Sequence, residues 1–170
     1  DFTPTQLFSK QVNPAIRAST GLRQLGPYRE MLESTIFSAV PAFINELRVT
    51  PFKADRLEIE LVAHGDGAFY KRHIDTQTAN YNDAKRIRIL SGVYYFNAEP
   101  KAFSGGALRL YAIGAGADFL DVEPVRNTLL VFPSWAPHEV LPVSCLSRRF
   151  IDSRFAINCW VCRKKSAAAQ

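Results

Sequence analysis

Three histidines and three cysteines are all that this chain of 170 residues contains, and the two scarcities exclude different things. Cys145, Cys159 and Cys162 are too few and too odd in number for a disulfide framework, so reduced thiols in a cytoplasmic setting are the expectation. Cys159 and Cys162 have the spacing of a redox or zinc pair. No second pair exists, however, and period-2 alternation sends the two thiols to opposite faces if they lie on a strand. They read as packing residues. No apolar run reaches the roughly 18 residues of a membrane span, and no charged-then-apolar leader opens the chain. Neither a span nor a signal peptide is therefore expected, although Asp1 in place of Met leaves room for an upstream piece. The formal charge is +5 with a pI near 9.3, but the basic residues are scattered apart from one late run, Arg163-Lys164-Lys165. Charge alone makes a weak case for nucleic acid.

Apolar residues, by contrast, are plentiful at 47%, with 12 Phe, 6 Tyr and 2 Trp, which excludes a disordered segment short of surface to bury. The length suits one domain, residues 1–170. Within it, residues 1–50 read as mostly helical support and 55–163 as a strand-rich core. After Pro27, the residues Tyr28, Met31, Leu32, Ile36, Val40, Ile44 and Leu47 recur at three- and four-residue steps, which predicts an amphipathic helix. Pro41 is expected to end or kink it near Val40. Strands are predicted where Leu57, Ile59 and Leu61 alternate with glutamates, and over 87–96, 107–112, 128–132 and 155–161, which are rich in β-branched and aromatic residues. Gly65-Asp66-Gly67, Ser104-Gly105-Gly106 and Gly114-Ala115-Gly116 punctuate them. Helices first and short strands afterwards give an α+β class, an antiparallel sandwich or jelly roll buttressed by helices. The polar stretch 76–85 between two strands is either disordered or a lid beside a site.

Histidine, one of the scarcer residue types, offers the candidate chemistry. On a strand, residues i and i+2 share a face, so His73 and Asp75 can aim an imidazole and a carboxylate at one point. Alone the pair is weak evidence. His138, in Pro137-His138-Glu139 after the apolar run 129–132, sits where a strand end can complete a facial set. Two histidines and one carboxylate leave three open positions, the arrangement suited to non-haem Fe(II) and oxygen. His64 could in principle make a zinc-like trio, but its place before a Gly-Asp-Gly turn and the presence of Asp75 favour a pocket-wall donor. Farther on, alternation puts Arg154, Ala156, Asn158 and Trp160 on one face, where the arginine offers a fixed fork to a carboxylate. Tyr94 and Tyr95 are adjacent and face opposite ways.

With these residues in view, the run from Phe69 to Trp160 resembles the catalytic core of the Fe(II)- and 2-oxoglutarate-dependent dioxygenases, in particular the prolyl-hydroxylase branch and its bacterial members. The matching pieces, in the family's order, are Y-K-R-H-I-D, G-V-Y-Y-F-N, S-G-G-A-L-R-L-Y, F-P-S-W-A-P-H-E-V-L-P-V and R-F-A-I-N-C-W. The resemblance implies a double-stranded β-helix with the site between its sheets. It implies that His73, Asp75 and His138 bind Fe(II) and that Arg154 pairs with the far carboxylate of 2-oxoglutarate, with Tyr95 against that same carboxylate. His64 and Asn158 join these as candidates for cosubstrate contact. It further implies O2 as the co-reactant, ascorbate in support of activity, and succinate and CO2 as products.

The implied target is a prolyl residue in a peptide or protein, and an aspartate at position 75, rather than the small residue of halogenating relatives, favours hydroxylation. A free amino acid or other small molecule, or a non-catalytic jelly-roll binding module, are the alternatives. The sequence departs from the family in two places. His64 stands where relatives often have a tyrosine, about ten residues before the first ligand, and the stretch between His138 and Arg154 is longer than in the oxygen-sensing animal enzymes.

Overall fold

In a computed structural model, residues 1–7, 12–76, 85–114 and 118–165 are described. Their elements run β1 (Thr3–Pro4), β2 (Thr20–Leu22), α1 (Tyr28–Glu46), β3 (Arg56–His64), β4 (Tyr70–His73), β5 (Arg86–Phe96), β6 (Ser104–Gly105), β7 (Leu108–Tyr111), β8 (Phe119–Val122), β9 (Thr128–Pro133), β10 (His138–Val140), β11 (Val143–Ser144) and β12 (Arg154–Lys164). A six-stranded sheet has the order β1-β2-β3-β12-β5-β9, a four-stranded sheet the order β4-β10-β7-β8, and β11 and β6 pair separately. All pairings are antiparallel.

The larger sheet is covered on both faces, one wholly apolar and the other apolar beside a polar cleft. On one face Leu57, Ile59, Leu90, Cys159 and Val161 pack against Ile36 and Val40 of α1. On the other, Val93, Tyr95, Phe132 and Ala156 meet Leu108 of the smaller sheet and Ala136. Two facing antiparallel sheets with a helix on one outer side make the jelly roll expected of the sequence.

The N-terminal third is less helical than its pattern suggests. One α-helix is present among the described residues, besides a 3-10 turn at Phe150–Asp152, and β1 and β2 extend the larger sheet where helix was expected. Pro41 lies inside α1 and does not end it. A proline there costs about 3 kcal/mol in an isolated helix, but Phe43, Ile44 and Leu47 beyond it pack on the same core, and tertiary burial outweighs local propensity. That burial also selects the face: Tyr28 and Met31, expected on it, are exposed. The helix stops by a left-handed turn at Arg48, φ 51°, where Val49 N–H donates to Ile44 O at 3.1 Å.

Candidate metal centre and anion cradle

His73 and His138 meet because strands β4 and β10 pair side by side, with the two residues directly opposite in register. Cross-strand partners of this kind have neighbouring side chains, and here the ring centroids are 4.2 Å apart. Asp75 arrives differently from expectation. β4 ends at His73, so Asp75 lies just past the strand and not on its face. There its N–H and that of Thr76 donate to Ser134 O at 2.8 and 2.9 Å, which pins the chain to the end of β9. The His73 Nε2 then lies 3.6 Å from Asp75 Oδ1 and the His138 Nε2 3.5 Å from Oδ2. One ligand atom from each of the three residues falls within 4.8 Å of the others.

Outer contacts prepare these atoms. Each Nδ1 is held by a backbone carbonyl, that of His73 by Lys71 O at 2.8 Å and that of His138 by Ala136 O at 3.0 Å. An imidazole whose Nδ1–H donates to a carbonyl keeps its Nε2 lone pair for a metal. Ser91 Oγ donates to Asp75 Oδ2 at 2.7 Å, and Ser134 Oγ, 2.9 Å from Ser91 Oγ, donates in turn because the serine hydroxyl has one proton to give. Burial opposes ionisation of Asp75, but hydrogen bonding to His73, the charges of the two imidazoles and the Ser91 bond overcome it and hold the carboxyl well below its usual range. Burial is also the main cause that lowers His138. The Tyr70 ring stacks on His73 at 3.6 Å. The donor set and its spacing fit an Fe(II) ion with open positions.

A second constellation shares the cleft, which has a volume of about 530 Å³ and is lined by all three of these residues together with His64, Arg154, Asn158 and Trp160. Arg154 is 1% exposed and makes no ion pair among the described residues. An arginine so buried without a counter-charge is expensive. Its strand partner in β3 is His64, and Arg154 Nη1 donates to His64 Nδ1 across 3.4 Å. That bond makes Nδ1 the acceptor and puts the ring proton on Nε2. Burial, then the charges of Arg154 and Arg17, push His64 well below its ordinary value and keep it neutral.

Tyr95 is inward and buried, and Tyr94 turns out to bond Asn127. The Tyr95 hydroxyl feels the Arg154 charge but meets no hydrogen-bond geometry. Four buried atoms thus have no partner among the described residues: Arg154 Nε and Nη2, Tyr95 Oη and His64 Nε2. All four can donate. A carboxylate, which only accepts and has about four lone-pair sites, is the complement of this set. Asn158 lies half-buried in the cleft wall, on the face predicted for it.

Gly106 explains why S-G-G precedes β7. Its φ is +72°, and a Cβ there would fall 2.6 Å from Arg154 Cδ. Only glycine gives both the left-handed turn and the room for the arginine stem.

Residues 59–162 match the 2OG-Fe(II) oxygenase superfamily, more than half of the chain. The chain belongs to that family. Among curated proteins, an uncharacterized PKHD-type hydroxylase of Synechocystis is 37% identical over 142 residues, covering 79% of this chain and 45% of that protein. The chain therefore spans about half the length of that relative. A Pseudomonas putida prolyl-4-hydroxylase superposes with a TM-score of 0.68 at 26% identity, covering 95% of this chain and 78% of the other. A prolyl hydroxylase of Trichoplax adhaerens, solved with a peptide fragment of the hypoxia inducible factor oxygen degradation domain, gives 0.65 at 24%, covering 94% and 70%.

Within this oxygenase chain, the candidates His64, His73, Asp75, His138, Arg154 and Asn158 all line one cleft, and the sequence lacks a signal for two kinds of residue beside them. Ser91 and Ser134 gave no signal, since a serine in an apolar strand is marked only by being polar where its neighbours are not. Tyr70 stands in the Y-K-R-H-I-D motif, whose spacing gives no sign of its stacking on His73. The thiols behave as expected: all three are free and buried. Among the stretches read from sequence, 77–84 and 115–117 lie outside the described residues. No helix is long and apolar enough to cross a membrane.

Proposed function

We propose that this chain is the catalytic domain of a dioxygenase that hydroxylates a prolyl residue in a peptide or protein at the expense of 2-oxoglutarate and O2, releasing succinate and CO2. The observation that carries the reading is the presence, in one cleft, of a facial His-Asp-His set and a buried arginine surrounded by unpaired donors. Each half has little purpose alone. Bound Fe(II) supplies the oxidative chemistry that no side chain can perform. The protein's share is binding and orientation.

In this reading His73 and His138 bind iron through Nε2 and Asp75 through its carboxylate, while Ser91 holds the carboxylate against rotation. Arg154 takes the far carboxylate of 2-oxoglutarate, with Tyr95 Oη and the His64 Nε2–H as further donors. Asn158 borders the cosubstrate between Arg154 and Trp160. Because Arg154 is buried, the ion pair forms away from water, where its direction and strength are greatest. Ascorbate supports turnover, and a reducing cytoplasmic setting accords with three unpaired thiols. A peptide target is supported by the Trichoplax neighbour, which was solved with one, and by a cleft whose lining continues beyond the triad.

The test is to incubate the protein with Fe(II), ascorbate and 2-oxoglutarate and scan proline-containing peptides for a mass gain of one oxygen. Succinate release in step with peptide oxidation is the expected result. Oxidation of free proline in preference to every peptide would shift the assignment to a small-molecule hydroxylase.

A further inference from the structure

The cleft does not end at the triad. Its wall also carries five arginines, Arg17 buried and Arg23, Arg29, Arg56 and Arg88 partly or fully open to solvent, against two acids, Glu58 and Glu60. We propose that this mouth selects substrates by negative charge, so that the target is a peptide with acidic residues flanking the one presented to the triad. The proposal rests on the peptide reading above and adds to it the kind of peptide.

The acids are already engaged. Glu60, 5% exposed, receives Arg17 Nη2 on Oε2 at 3.0 Å and Arg23 Nε on Oε1 at 3.2 Å. Glu58 receives Arg88 Nε at 2.9 Å, and that guanidinium also lies 4.0 Å from the Trp160 ring. What remains is positive. Arg23 uses only its Nε in the Glu60 pair, and its side chain is 71% exposed. Arg29 donates to Leu57 O at 3.2 Å and stands 4.0 Å from Glu33. Arg56 is exposed and has no ion pair among the described residues. An incoming carboxylate therefore meets free guanidinium N–H groups, whereas an incoming cation finds its possible partners occupied.

The register ties this surface to the site. Arg56, Glu58, Glu60 and His64 occupy alternate positions of β3, opposite Cys162, Trp160, Asn158 and Arg154 of β12. The row of charge thus runs along the wall toward the Arg154 end. Arg88 O accepts from Thr76 Oγ1 at 3.0 Å, which sets the mouth beside Asp75. Glutamates interleaved with the arginines break the continuous positive track that a nucleic-acid backbone requires, so a peptide with discrete acids is the better complement.

Each exposed contact of this sort is weak and screened by salt, so the preference is a sum over several, expected at about tenfold. The full chain is loaded with Mn(II) and 2-oxoglutarate in the absence of O2. Fluorescence anisotropy then follows labelled peptides with a central Ala-Pro flanked by aspartates, by asparagines or by lysines. The proposal expects the aspartate peptide to bind about tenfold more tightly than its asparagine isostere at low salt. It expects the advantage to vanish at high salt and to shrink when Arg23→Gln and Arg56→Gln are combined.

Equal binding of all peptides overturns the charge preference and leaves the peptide reading intact, while failure of every peptide to bind overturns both. A preference that ignores salt, or stronger competition by a single-stranded oligonucleotide than by the aspartate peptide, also overturns it. The salt dependence in the unaltered protein decides the matter even if the doubly substituted chain does not fold.

Discussion

At the scale of single residues, Arg154 is the clearest case of a charge buried without a counter-charge among the described residues. A guanidinium 1% exposed with two unpaired nitrogens destabilises the empty fold, because a buried charge is tolerated only when paired. Burial accordingly lowers its pKa. Arg154→Met keeps most of the volume and removes the charge. The variant is expected to melt no lower than the parent in the absence of 2-oxoglutarate, yet to bind 2-oxoglutarate more weakly by about 2 to 5 kcal/mol. Calorimetry on Mn(II)-loaded protein measures the second quantity, and unchanged affinity would remove Arg154 from its assigned role. The position was legible in the sequence because alternation along one strand fixes which residues share a face. The donors that complete the cradle were only partly so, since His64 reaches Arg154 through a register between strands distant in the chain.

At the scale of elements, the core strands are legible in the sequence and the N-terminal third is not. Alternation and β-branched or aromatic content mark these strands even where both faces are covered, as in β5, whose residues 89–93 are all buried. The segments β3, β5, β9 and β12 follow their patterns closely. The sequence around Pro41 predicts an end or a kink, whereas packing on both sides of the proline carries the helix through. Strands β1 and β2 are too short, at two and three residues, to show a period at all. The end of β4 before Asp75 was equally hidden, because it depends on Ser134 O capturing two backbone N–H groups. The turn between β6 and β7 offers a test at this scale. Gly106→Ala adds a Cβ at 2.6 Å from the arginine stem and strains a left-handed φ, so a loss of about 1 to 3 kcal/mol of stability is expected. Weaker 2-oxoglutarate binding should accompany it, and a variant with parental melting temperature and affinity would refute the packing argument.

At the scale of the whole molecule, the fold sets aside a polar cleft inside a jelly roll, and its pH response follows. His64 is neutral in the fold, with a pKa well below the ordinary 6.5. In the unfolded chain it takes up a proton as the pH falls through that value, so the unfolded state binds more protons and stability declines. His138 acts in the same direction. The Asp75 contribution is present above 3.8 and is lost only at lower pH, as its depressed folded value is approached. Metal-free protein is therefore expected to show a urea midpoint that falls between about pH 7 and pH 5, and His64→Gln should flatten part of that slope. The central claim is that one cleft holds iron and 2-oxoglutarate together, and anaerobic visible absorption tests it most directly. Addition of 2-oxoglutarate to the Fe(II)-loaded protein should raise a weak charge-transfer band that is absent with either component alone and is lost in His73→Ala. No band in the unaltered protein, or a band that persists in His73→Ala, would contradict the account.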